Sequence, residues 1–241
     1  MSYIKKVIQR AVNLAGYDIQ RLGHESNTGN PLLKGLKRFE VDLILDVGAN
    51  EGQFAREILW LGYKGRLVSF EPLSSAHAKL EKAARQDSRW TVHPRCAIGA
   101  QDGEVTINIA GNSVSSSILP MMESHVSASP GSAYIGVEKA PVFRLDTAAP
   151  PYLEKARKPF LKIDTQGYEW QVLDGAGSIL PRMSGVLCEL SLVPLYDGQR
   201  LWLEIVRRLE DEGFTLWSIH RGFSDPRDGR TLQVDALFFR L

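Results

Sequence analysis

Strand-length apolar runs alternate with helix-length amphipathic stretches from residue 41 onward, and this rhythm constrains the fold more than any other feature. VDLILDV (41–47) reads as a strand and Gln53 to Leu61 as a helix. RLVSF (66–70) is the next strand, followed by a helix from Ser74 to Arg85 with Ser74 as its cap. WTVHPRCAI (90–98) is read as a third strand. The rhythm resumes with FLKID (160–164), a helix from Tyr168, GVLCELSL (185–192), a helix over 200–211 and FTLWSIH (214–220). Such alternation implies an α/β fold, a mostly parallel sheet with helices on both faces. The final strand, VDALFFRL (234–241), follows only the turn-rich GFSDPRDGR. A parallel return needs a crossover, so this last strand is expected to be antiparallel.

Residues 111–140 break the rhythm. They are rich in Ser, Gly and Pro, with three serines at 115–117, and read as a long loop that either folds over a ligand or lies on the surface. Asp102-Gly103 before it suggests a hairpin turn, and VFRLD (142–146) after it a strand. The expected division is an N-terminal helical extension over 1–40 and one domain over 41–241. In the extension, Ile4, Val7, Ile8, Ala11, Val12 and Ala15 fall at helical spacing. That helix is expected to pack on the domain; peripheral contact with a membrane surface is the alternative. Charges interrupt each apolar stretch there, so it does not read as a signal peptide.

A formal net charge of +1 gives no basic surplus for a phosphate footprint, so nucleic acid is not the expected partner. Cys96 and Cys188 lie in apolar runs without metal-ligand or CxxC spacing, and read as buried thiols of a reducing, cytoplasmic compartment. No apolar run reaches the roughly 18 residues of a membrane span. Oligomeric state is not readable.

In an open α/β sheet, ligands bind beyond the carboxyl ends of the strands. DVGANEGQF (46–54) ends the first strand, with Gly48 and Gly52 allowing a tight turn. A dinucleotide fingerprint starting at Gly48 would need glycine at 50 and 53, where Asn50 and Gln53 stand, and no P-loop is present. The second strand ends in Glu71, about 20 residues on, where an acid accepts ribose hydroxyls. A ribose without a pyrophosphate points to S-adenosylmethionine. A plain helix-start acid is the other reading of Glu71.

DVGANEGQF, FEP, AIGAQDGEV, NSVSSSI, LKIDTQGYEWQVLDGA and LCELSLVPLYDG, in that order, resemble the FkbM family of S-adenosylmethionine-dependent methyltransferases. The resemblance runs from about residue 41 to 240. It implies a Rossmann-like class I methyltransferase fold, seven strands with the last antiparallel. It also implies O-methylation of a hydroxyl on a sugar, glycan, glycolipid or polyketide-type small molecule. By position, Asp46, Gly48, Asn50 and Gly52 would line the methionine end of the cofactor, Glu71 would hold the ribose, and Ala97 would offer a backbone contact near adenine.

An alcohol needs in-line positioning and a base to take its proton. Asp164, Glu189 and His220 fall at or near strand ends and are the catalytic candidates; His125 lies in the long loop. Alternation places Lys162 on the same side as Asp164, either as a stabilising partner or at the site. Glu169 falls in the first turn of its helix, where an acid is favoured. Asp164, Glu169 and Glu189 are oxygen donors of the kind magnesium takes, yet they form no metal motif. No metal site is assigned and magnesium is left open. Tyr134, Tyr168 and Trp170 are candidates to stack on a sugar ring. An RNA methyltransferase and a non-catalytic cofactor-binding scaffold are the competing functions.

Overall fold

The computed structural model describes residues 30–241. The expected helix over residues 4–15 lies outside them. At the centre, β1 (Leu43–Val47) is buried at all positions, as a strand covered on both faces must be. It pairs in parallel with β2 (Arg66–Phe70) on one side and β7 (Pro159–Ile163) on the other. Outward from β2 lies β3 (Trp90–Val92). Outward from β7 lie β8 (Gly185–Ser191), β10 (Gln233–Phe239) and β9 (Thr215–Arg221). The order is β3-β2-β1-β7-β8-β10-β9, with β10 antiparallel to both neighbours. This is the α/β class I methyltransferase arrangement, and the missing helix before the last strand accounts for its reversal.

Alternation along β1 sends Leu43, Leu45 and Val47 into one core, with Val172 and Leu173 of α7 (Glu169–Gly175) and Ile205 and Leu209 of α8 (Trp202–Asp211). Ile44 enters the other core, with Leu36 of α1 (Pro31–Arg38), Ile58 of α2 (Gln53–Trp60) and Leu80 of α3 (Ser74–Ala84). Period two puts Asp46 on this second face, beside its register partner Lys162.

Five local expectations are corrected. The run 90–98 is two strands in two sheets: β3 ends at Val92, and β4 (Ala97–Ile98) joins β6 (Tyr134–Phe143) in a small sheet ordered β4-β6-β5. Pro94 has no N–H to continue the ladder, and the last rung on β2 is His93 N–H to Ser69 O, 2.9 Å. Asp102-Gly103 is not a hairpin turn, because β6 lies between β4 and β5 (Gly103–Ala110). The Asp102 carboxylate instead accepts from Arg144 N–H and the Thr147 hydroxyl. Ser74 does not cap α3; its own N–H donates to Glu138, and the preceding Leu73 N–H to Glu71. VFRLD is only half strand: β6 stops at Phe143 and a helical turn, α5 (Leu145–Ala148), follows. The segment 111–140 is built rather than irregular, since it contains α4 (Glu123–Ala128) and most of β6. A second helical turn, α6 (Pro150–Leu153), leads into β7. Among the described residues no helix is long and apolar enough to cross a membrane.

Candidate active site

β1 ends in a tight turn. Gly48 has φ +77°, and a Cβ there would collide with the carbonyl oxygen of Asp164, so the ends of β1 and β7 can lie this close only with glycine. Asn50 follows at φ 47°, and its N–H donates to Glu71 Oε2 at 2.8 Å. Leu73 N–H donates to Glu71 Oε1 at 2.9 Å. Each oxygen of this carboxylate thus holds one backbone donor and keeps a second lone pair. Glu71 is almost fully buried, and burial pushes its carboxyl up to about 7 against the pull of those N–H groups.

These ends open into a cavity of about 390 Å³, within the usual range for small-molecule sites. Gly48, Asn50, Glu71 and Ala97 line it, with Phe70, Leu73, Cys96, Ile98 and Ile107 as an apolar wall. Residues 112–118, His125, Ser129, Tyr168 and Phe223 line it as well. Asp164, Gln166, Glu189 and Gln233 also line it.

Asp46 and Gly52 do not reach the cavity. Asp46 is fully buried, paired with Lys162 Nζ at 3.1 Å and accepting from the Ser69 hydroxyl. Gly52 starts α2 at φ +84°, and a Cβ there would meet Trp90 and Leu80. Lys162 Nζ also donates to Gly48 O at 3.0 Å and lies 3.5 Å from Asp164. Burial alone would lower this ammonium, but Asp46 and Asp164 outweigh it and hold it above lysine's ordinary range. Lys162 is therefore a fixed cation, bonded to Gly48 O and held between the Asp46 and Asp164 carboxylates. Lys162→Met strands the Asp46 charge and should cost about 3–5 kcal/mol in urea unfolding. Adding Asp46→Asn should restore part of that loss. A single mutant within 1 kcal/mol of wild type, on the order of a surface pair, would refute this pairing.

Gln166, at φ 55°, ties several of these side chains together. Its Nε2 donates to Asp164 Oδ1 at 2.9 Å and Glu189 Oε2 at 2.7 Å, and its Oε1 accepts from the Tyr196 hydroxyl. Glu189 Oε2 also accepts from Gln233. No hydrogen bond among the described residues engages Glu189 Oε1. Burial, then the neighbouring Asp164, Glu169 and Asp235, raise the Glu189 carboxyl well above its ordinary value. The Glu169 carboxylate is turned inward, accepting from Thr165 N–H, the Thr165 hydroxyl and Gly167 N–H. Among the described residues no three His, Cys, Asp or Glu side chains gather as a metal would need.

His220 is not brought to this cavity. Its strand is at the sheet edge, with β10 between it and β8, and its ring contacts the Ser218 hydroxyl. Of the three aromatic candidates, only Tyr168 lines the cavity. The Tyr134 hydroxyl donates to Leu119 O, and Trp170 lies under the Arg208 guanidinium at 4.4 Å. Cys96 and Cys188 are both free and buried. Sequence reasoning missed Gln166, Gln233 and Phe223; a glutamine directly before Gly167 was the one visible signal.

A methyltransferase FkbM domain profile matches residues 46–216. No curated protein matches the chain significantly. An FkbM methyltransferase from Methylobacillus flagellatus KT superposes with a TM-score of 0.51 at 16% identity, covering 83% of this chain and 44% of its own. TehB from Haemophilus influenzae gives 0.47 at 8% identity, over 91% and 63%. The magnesium protoporphyrin IX methyltransferase ChlM from Synechocystis PCC 6803, solved with bound SAM, gives 0.45 at 9%, over 100% and 99%. The chain spans only 44% and 63% of the length of the first two of these structures. Of these only the first exceeds a TM-score of 0.5, and at 16% identity it speaks for the fold alone. The profile covers most of the chain, and on that ground the chain belongs to the FkbM methyltransferase family.

Proposed function

We propose that the protein transfers a methyl group from S-adenosylmethionine to a hydroxyl of a sugar, glycan, glycolipid or polyketide-type small molecule. The observation that carries this reading is the acid-rich lining of the cavity. Glu71, Asp164 and Glu189 line it against one lysine already paired with Asp46. Such a site suits a ligand that is cationic and bears a ribose. The residues fit that group: Glu71 has a free lone pair on each oxygen for the ribose hydroxyls, Ala97 offers backbone, and the Leu73, Cys96, Ile98 and Ile107 wall suits adenine. Bound there, the cofactor would supply an electrophilic methyl on its sulfonium.

The acceptor proton then needs a base. Asp164 is held by Lys162 and Gln166, which suits orienting work. Glu189 has a free oxygen and a raised affinity for protons, and is the base in this reading. Calorimetry with S-adenosylmethionine and S-adenosylhomocysteine tests the reading, with a Kd from low micromolar to submillimolar expected. No heat and no thermal shift with either compound at millimolar concentration would overturn it.

A further inference from the structure

We propose that His125 is an acceptor-positioning residue, its neutral imidazole hydrogen-bonding an uncharged, hydroxyl-bearing substrate in the cavity. The inference rests on the methyltransferase reading and names a residue and a substrate class within it. His125 lines the cavity and is 2% exposed. Among the described residues neither ring nitrogen has a hydrogen-bond partner; Nδ1 is sealed inside the fold, which leaves Nε2 as the nitrogen a ligand can meet. Unpaired buried nitrogens are costly, so a histidine there has a use that its folded surroundings do not supply.

The ring is held for the task. It meets the Tyr196 ring edge-on at 5.2 Å and the Phe223 ring at 5.2 Å. Its helix is pinned by Ser124 Oγ donating to Pro194 O and Met122 N–H to Leu195 O. Tyr196 in turn holds Gln166, which holds Asp164 and Glu189, so the imidazole is fixed relative to the carboxylates. Burial pulls its pKa down to about 4, so at neutral pH it offers one N–H donor and one nitrogen acceptor.

The surroundings select the substrate. Asn112, Ser113, Ser115, Ser116, Ser117 and Ser129 also line the cavity, and Phe223 gives an apolar face beside the His125 ring. Lys162 is the sole lysine or arginine among the described lining residues, and Asp46 and Asp164 neutralise it. Hydroxyls find partners on such a wall, whereas a phosphate or carboxylate would be desolvated beside Glu189 and Asp164 without a free cation.

The test uses two variants. His125→Phe keeps the aromatic packing and removes both nitrogens; His125→Gln keeps a donor and an acceptor. Label from tritiated S-adenosylmethionine is followed into neutral methyl glycosides and into the same sugars carrying a phosphate or carboxylate. S-adenosylhomocysteine affinity and melting temperature are measured alongside. Label should enter the neutral panel. His125→Phe should lower kcat/KM at least tenfold, mainly through KM, with S-adenosylhomocysteine affinity within twofold and a melting temperature at or above wild type. His125→Gln should recover to within threefold. Labelling of the charged panel alone, no labelling of either panel while S-adenosylhomocysteine binds, or full turnover by His125→Phe would overturn the proposal. Absence of S-adenosylhomocysteine binding by wild type would instead remove the methyltransferase reading beneath it.

Discussion

Glu71→Ala should raise the Kd for S-adenosylmethionine at least 100-fold. Two ribose hydroxyls on an ionised carboxylate are worth about 1.5–3 kcal/mol each, and 1.4 kcal/mol is a factor of ten. The same change deprives the N–H groups of Asn50 and Leu73 of their acceptor, so the loop after β1 and the start of α3 should loosen together. Glu71→Gln separates these effects, since it keeps one acceptor oxygen and removes the charge. The pH dependence has a definite sign. Burial raises the Glu71 carboxyl to about 7, so the empty protein holds a proton there that an unfolded chain would have released. Its contribution to stability is present below the ordinary carboxylate range and is lost as pH rises toward 7. Ribose hydroxyls donate to the ionised form, so binding expels that proton. Affinity should climb from pH 6 to pH 8 in wild type and stay level in Glu71→Gln. Titrations showing the same Kd for wild type and Glu71→Ala would remove Glu71 from the cofactor site.

Glu189→Gln should lower kcat by 10²- to 10⁴-fold, the usual weight of a general base. Cofactor affinity should stay within threefold, because this carboxylate faces the acceptor half. Asp164→Asn should cost less, about tenfold, a small part of a general base's contribution. The active form of Glu189 is the ionised one, and burial with its acidic neighbours raises its pKa. In wild type, kcat/KM should therefore rise with pH along a limb above the ordinary carboxylate range, and that limb should vanish in Glu189→Gln. Asp164→Asn proving the more damaging variant would transfer the base to Asp164.

Some of this was legible in the sequence because it depends on local pattern. The parallel sheet and its reversed last strand follow from where helices do and do not intervene. That Glu71 would line a cavity was legible because a strand end, a glycine turn and an acid at the next strand end are all sequential facts. Asp46 was not, although its position was right: alternation assigns it a face, but only the Lys162 pair and the Ser69 hydroxyl show that its charge is consumed inside the fold. His220 sits near a strand end as expected, yet the order of strands carries it to the edge. The split of 90–98 turns on the missing N–H of Pro94, which apolar content concealed. His125, Gln166 and Phe223 come from loops and a short helix, and only tertiary packing brings them to one cavity.

That split has a wider consequence. After Pro94 the chain leaves the main sheet, and residues 95–143 form one continuous excursion through the small sheet and α4. The excursion supplies Ala97, Ile107, residues 112–118, His125 and Ser129 to the cavity, while Gly48, Asn50 and Glu71 come from the main sheet. Evolution can thus redraw a large part of the cavity wall by editing one uninterrupted stretch of gene, leaving Gly48, Asn50 and Glu71 as they were. Chimeras exchanging 95–143 between relatives are the corresponding route to a reshaped cavity.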